Sequence, residues 1–133
     1  MNKLIISIDG PAGSGKQRIA KYISKKYNLY HLDSGILYRR LTSIIIKKKI
    51  NYKDNKSIRI FLSSIDFLSA RSHLKLRNEQ ISKLASKIAI IYEVRKFINA
   101  NQKSIVKKKL KSYKGCVVDG RDIGSKVFKN ANI

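Results

Sequence analysis

Residues 5–23 read IISIDGPAGSGKQRIAKYI: an apolar run, a glycine-rich turn, a lysine, then apolar residues at helical spacing. This stretch narrows the fold more than any other. Gly10, four residues, then Gly15 and Lys16 give a backbone that can fold tightly around oxygen atoms, where side chains would clash or forbid positive φ. Successive amides then converge into a concave anion nest, and the helix opening near Gly15 adds its positive end. Lys16 is long enough to reach the outer phosphates of a nucleoside triphosphate. The required context is present, because the loop leaves an apolar strand and enters a helix. Residues Gly10, Pro11, Ala12, Gly13, Ser14, Gly15, Lys16, Gln17 and Arg18 are therefore the candidate triphosphate loop. Gln17 stands where such loops carry a hydroxyl that contacts Mg²⁺. Mg²⁺ keeps several waters and binds mainly through substrate phosphates, so the exchange need not abolish binding. Arg18 either adds charge beside a phosphate or points into solvent; solvent is the favoured reading.

The rest of the chain can be arranged around that loop. Residues 3–9 are nearly all apolar, as in a strand buried on both faces. Residues 16–27 place Ile19, Ala20 and Ile23 on one side and Lys21, Lys25 and Lys26 on another, an amphipathic helix. LYHLD at 29–33 reads as a second strand. Helices are predicted over 36–50 and 54–64, the latter with Asp54 as a cap, and IDFLS at 65–69 as a short strand. A further helix starts at Asn78, a good N-cap, and another spans about 93–111 and ends near Gly115. CVVD at 116–119 is a short β-branched strand. The order predicts one α/β domain with a parallel sheet, and a mainly helical insertion at about 36–111.

Thirty basic residues against eight acidic ones leave a net charge of +22. Polyphosphate or nucleic acid is the sharp reading of such an imbalance. The excess is mostly lysine, 22 against 8 arginines, and is spread along the whole chain. Lys, Ile and Asn all have AT-rich codons, so genome composition is the competing and favoured source of much of the charge. Binding to nucleic acid is expected to be non-specific if it occurs. The single cysteine, Cys116, lies in an apolar run and reads as a buried, reduced thiol, which suits a cytoplasmic protein. LIISI is too short for a secretory signal and is followed by Asp9, and LTSIII at 41–46 is far too short to span a bilayer. No membrane partner is expected.

In parallel α/β sheets ligands collect at the carboxyl ends of strands. Two charged clusters fall there. After the second strand come Asp33, Ser34, Tyr38 and Arg39, where Ser34 either caps the next helix or faces a ligand. After the third come Asp119, Arg121 and Asp122. Asp119 ends an apolar run as an acceptor for Mg²⁺-bound water would, an arginine offers a bidentate phosphate grip, and an aspartate offers acceptors for an exocyclic amine. DGRD alone is equally a solvated turn.

Taken in order, IDGPAGSGK, LDSGILYR, LRNEQISKLASKIAIIYEVR and VVDGRDIGSKVF resemble bacterial cytidylate kinase, and the resemblance covers almost the whole chain. It implies the nucleoside monophosphate kinase fold with a phosphate loop, here incomplete at about three core strands. It implies transfer of the γ-phosphoryl group of ATP to CMP or dCMP, with Mg²⁺ held mainly through phosphates and water. Residues 10–18 match the ATP loop. Ser34 and Arg39 match holders of the CMP phosphate, with Tyr38 beside them. Ser86 and Arg95 match readers of the cytosine edge. Arg121 matches a phosphate-side arginine, and Asp122 a carboxylate that contacts base and nucleotide. Lys16, Arg39, Asp119 and Arg121 are the expected catalytic set, and a monomer the expected state.

Three departures accompany the resemblance. GKQR replaces a small residue or Ser followed by Thr. The stretch at 65–77 is shorter than in the family, as if a small β insertion were trimmed. FKNANI ends the chain where a fourth core strand would begin, leaving out the arginine-bearing lid and an edge of the sheet uncovered. The expectation is a poor catalyst when this chain acts alone. The other readings are a non-catalytic basic nucleic-acid-binding fragment and a phosphate-loop kinase with a different acceptor.

Overall fold

The computed structural model describes residues 3–11, 13–69, 78–121 and 123–133. They fall into two compact units, one formed by Met1–Ser34 with Gln102–Ile133 and the other by Gly35–Asn101.

The first unit is built on a parallel three-stranded sheet. Strands β1 (Leu4–Asp9), β2 (Tyr30–Asp33) and β3 (Gly115–Gly120) lie in the order β1-β3-β2. β3 therefore sits between the two strands that precede it, and all six of its residues are buried. A central parallel strand covered on both faces needs an unbroken apolar, β-branched run, which Cys116, Val117 and Val118 supply. The register pairs Ile6 with Val117, Asp9 with Gly120 and Asp33 with Asp119, so the three strand tips end level with one another. Helix α1 (Lys16–Tyr27) covers one face: Ala20 packs with Ile6, Leu29 and Val117, and Leu4, Ile8 and Ile23 close around them. Among these, the buried Ile6, Leu29 and Val117 side chains are each worth about 1.5–3 kcal/mol. Asn28 ends α1 in the left-handed region, with φ 53°, and the Leu29 amide bonds back to the Ser24 carbonyl at 2.8 Å. Tyr30 stacks on Tyr113 at 5.4 Å between ring centroids, with Lys109 Nζ 4.9 Å over the Tyr30 ring.

After β3 the chain makes one wide helical turn, Ile123–Val127, closed by the Phe128 amide on the Ile123 carbonyl at 2.7 Å. Residues 132 and 133 then lie along the outer edge of β1. The Asn132 amide donates to the Ile5 carbonyl at 2.9 Å, and the Ser7 amide to the Ile133 carbonyl at 2.8 Å. The Asn132 side-chain oxygen accepts from the Ile5 amide at 2.9 Å. This is the first rung of a parallel pairing, so the outer edge of β1 is occupied at these residues.

In the second unit every described element is a helix. The unit contains most of α2 (Ser34–Lys47), then α3 (Asn55–Ser64), α4 (Glu79–Ile88) and most of α5 (Tyr92–Lys109). Buried residues recur at helical spacing: Leu37, Leu41, Ile44 and Ile45 on α2, Ile81, Ala85 and Ile88 on α4, Val94 and Ile98 on α5. α2 stops at Lys47 rather than running to residue 50. Lys49 turns left-handed at φ 54°, with the Ile50 amide on the Ile45 carbonyl and the Lys49 amide on the Ile46 carbonyl. That double bond pattern satisfies the last carbonyls of a helix without glycine. Asn78 caps α4 as predicted, its side-chain oxygen accepting from the Gln80 amide at 2.7 Å. Asp54 stands at the N-cap of α3 and accepts from the Ser57 hydroxyl at 2.6 Å, the main reason its carboxyl lies below the usual range.

The strand predicted over 65–69 is not formed. Ile65 caps α3 in extended backbone and the next residues turn. Phe67 accounts for the apolar character of that stretch. It is 2 % exposed, edge-on to Phe97 at 5.4 Å, with the Arg40 guanidinium 5.9 Å over its ring. An aromatic anchor in a turn thus imitates a strand signal. The remainder of the trimmed insertion, residues 70–77, lies outside the described residues. No described helix is long and apolar enough to cross a membrane.

Candidate functional site

The parallel register brings the three clusters picked out from the sequence to one edge of the sheet. The loop after β1, Asp33–Ser34 after β2, and Asp119–Gly120–Arg121 at the end of β3 all sit at carboxyl ends. The Gly10 amide donates to the Gly120 carbonyl at 3.1 Å, joining the first cluster to the third.

The loop itself has the conformation its glycines allow. Gly13 and Gly15 adopt φ 77° and 88°, which L side chains rarely tolerate. The Ser14 amide returns to the Pro11 carbonyl at 3.2 Å, and Lys16 Nζ bonds the same carbonyl at 3.3 Å. The start of α1 carries no side-chain cap and no acid in its first turn. Its opening amides and positive end are therefore available to an anion. Arg18 is exposed, in line with the solvent reading. Ala12 lies outside the described residues.

All described acids of this unit, Asp9, Asp33 and Asp119, lie at the carboxyl edge, and each has its own tether. Asp9 accepts from the backbone amides of Ile123 at 2.5 Å and Gly124 at 3.1 Å, fixing the turn that follows the third cluster. Asp33 accepts from Gln17 Nε2 at 2.9 Å. Asp119, 1 % exposed, is bonded through Oδ2 to His31 Nε2. Gln17 thus turns an amide N–H toward a carboxylate instead of replacing the missing hydroxyl. Ser34 is 4 % exposed and rests against Gly120, where an added Cβ would come within 2.0 Å of Ser34 Oγ. Only glycine allows the β2 and β3 tips to approach so closely. Arg121 is exposed just beyond β3, and Asp122 lies outside the described residues.

In the helical unit the structure joins two of the predicted residues. The Tyr38 phenol is hydrogen-bonded to the Arg95 guanidinium; burial raises its pKa and the nearby arginine partly offsets that rise. Arg39 follows on α2. Ser86 is exposed on α4, and its hydroxyl bonds back to the Ser82 carbonyl at 3.1 Å, as an ordinary helix-surface serine does. The roles of Asp9 and His31 were not read from the sequence. The available signal was the scarcity of acids in a chain of +22, three of which, Asp9, Asp33 and Asp119, stand at predicted strand tips.

With this geometry in hand, comparison with known proteins is direct. The cytidylate kinase family model matches residues 6–133. The chain belongs to the cytidylate kinase family. It is 38% identical to the cytidylate kinase of Fusobacterium nucleatum over all of its length, and 36% identical to that of Bartonella quintana. It is also 41% identical, over 97% of its length, to a bifunctional pantoate ligase/cytidylate kinase of Prochlorococcus marinus. The chain spans 63% and 60% of the two cytidylate kinases and 27% of the bifunctional protein.

The Mg²⁺ that nucleotide kinases use finds suitable chemistry at this edge. Oxygen ligands suit this hard cation, and Asp33 and Asp119 stand on paired positions of adjacent strands. No group of three or more His, Cys, Asp or Glu side chains converges among the described residues. Both carboxylates are already tethered by hydrogen bonds, which suits acceptors of metal-bound water.

Proposed function

We propose that this chain carries the donor loop and acceptor pocket of a (d)CMP kinase. A phosphate oxygen of CMP or dCMP attacks the γ-phosphorus of ATP in line. The bond from that phosphorus to the bridging oxygen breaks, and ADP leaves. The observation that carries this reading is the level alignment of three strand tips, with the phosphate loop, Ser34 and Arg121 on one edge of the sheet.

In phosphoryl transfer the protein acts by positioning and electrostatics, and the residues divide accordingly. The loop amides, the start of α1 and Lys16 hold the donor phosphates. Lys16 leaves the Pro11 carbonyl to do so, a long bond of 3.3 Å readily exchanged for an ion pair with phosphate. Arg39 and Arg121 neutralise the acceptor phosphate, with Ser34 and Tyr38 beside it. Ser86, Arg95 and Asp122 read the cytosine edge, which presents an amine next to acceptors and so needs both an acceptor and a donor. Asp119 and Asp33 would accept hydrogen bonds from the waters of a bound Mg²⁺, which would offset phosphate charge. The cytoplasm and pyrimidine nucleotide metabolism are the setting that this activity implies, and a monomer suffices for it. Lysines are spread along the whole chain and over both units, with no single basic segment to favour a nucleic-acid reading.

The test is a coupled assay with ATP and CMP, dCMP, UMP or AMP as acceptor. CMP and dCMP should give the highest turnover. Equal or faster turnover with AMP would overturn the assignment.

A further inference from the structure

The pair formed by His31 and Asp119 is not explained by the roles given so far. Asp119 is almost fully buried at the tip of the central strand, and His31, two residues before the tip of β2, reaches it along the same face of the sheet. His31 pairs in register with Val117, which faces α1, so the imidazole lies beneath the carboxylate on the α1 side. Asp33, the neighbouring acid, is held separately by Gln17 from α1. The two carboxylates thus have independent tethers from different elements.

Stability gives little reason to keep such a pair. Replacing a buried ion pair by well-packed apolar residues is often neutral or stabilising, whereas removing one partner strands the other. Val117, in register with His31 on this face, is itself packed in an apolar cluster with Ile6, Ala20 and Leu29, so apolar side chains fit beside it. What the pair does supply is orientation. With Oδ2 engaged by His31, the Asp119 carboxylate has one rotation, and among the described residues Oδ1 accepts no hydrogen bond.

We infer that His31 is a positioning residue for magnesium nucleotide binding: it holds Asp119 so that the remaining oxygen accepts a hydrogen from metal-bound water. The inference rests on the kinase reading only for the identity of the nucleotide. Outer partners of this kind, which reach the metal through a carboxylate and a bound water, change metal affinity by up to about 10–100-fold when lost.

The experiment is calorimetric titration of the full chain with ATP, once with Mg²⁺ and once with EDTA. In the unaltered chain Mg²⁺ should tighten ATP binding. His31→Phe should erase up to about 10–100-fold of that gain while leaving the affinity in EDTA, set by the loop amides and Lys16, unchanged. His31→Gln, which keeps an N–H donor, should retain most of the gain. Asp119→Asn should reproduce the loss, and adding His31→Phe to it should change nothing more. If His31→Phe does not fold, His31→Asn replaces it, since its amide is too short to reach Asp119. A gain that survives both removals, a loss equal in Mg²⁺ and EDTA, or an unaltered chain indifferent to Mg²⁺ overturns the inference. CMP is absent throughout. A chain that binds ATP in this way but transfers nothing to CMP refutes the kinase reading and leaves the role of His31 standing.

Discussion

Gly120→Ala tests how the β2 and β3 tips meet. An added Cβ would approach Ser34 Oγ to 2.0 Å, Ile123 Cδ1 to 3.0 Å and Ser34 Cβ to 3.1 Å. Real carbon–oxygen contacts do not reach 2.0 Å, so something must shift, and Ser34 is 4 % exposed with little room to turn. Overpacking of one methyl into a filled site costs about 1–3 kcal/mol. With a urea slope of about 2 kcal/mol per molar for a domain of this size, the midpoint should fall by roughly 0.5–1.5 M. Ser34 begins α2 and is proposed to touch the CMP phosphate, so the KM for CMP should rise at the same time. Removing the hydroxyl eliminates the worst of the three contacts. Ser34→Ala in the Gly120→Ala background should therefore recover part of the stability, giving a coupling of about 0.5–2 kcal/mol in a double-mutant cycle. Strictly additive effects of the two substitutions would show that the tips are not in contact and would refute the reasoning.

Two further outcomes follow from individual residues. Burial pushes the Cys116 thiol up to about 11 from 9.0, so its stabilising contribution is complete below pH 9 and is lost as pH rises through 11. Unfolding free energies of the unaltered chain and Cys116→Val, read from urea melts, should therefore diverge between pH 8 and 11 by on the order of 2 kcal/mol, and the native thiol should resist a disulfide reagent at pH 8 until urea unfolds the chain. Asn78→Ala removes the cap that accepts from the Gln80 amide at 2.7 Å and should cost about 1 kcal/mol, read as a lower melting temperature, with Asn78→Asp nearly unchanged.

Much of the site was legible because its determinants are local. A glycine-rich turn between an apolar strand and an amphipathic helix declares itself through residues that adjoin in the chain, as do the Asn78 cap and the β-branched run of β3. Periodicity likewise located α1, α4 and α5 to within a residue or two. It erred where a long-range contact imitated a local one: Phe67 is apolar in order to meet Phe97, and the stretch around it turns instead of extending.

By itself, then, the sequence determined most of the elements, their parallel α/β class, and the glycine-rich turn proposed to hold phosphate, since each of these depends on neighbours in the chain. Only the tertiary structure decided that β3 lies between β1 and β2, and so which acids stand side by side and what holds them. Gln17 and Asp33 are 16 residues apart, His31 and Asp119 are 88, and Asp9 and Ile123 are 114. No local pattern encodes such partnerships, because they arise from sheet register, which sets side chains from distant strands level only once the whole sheet has formed.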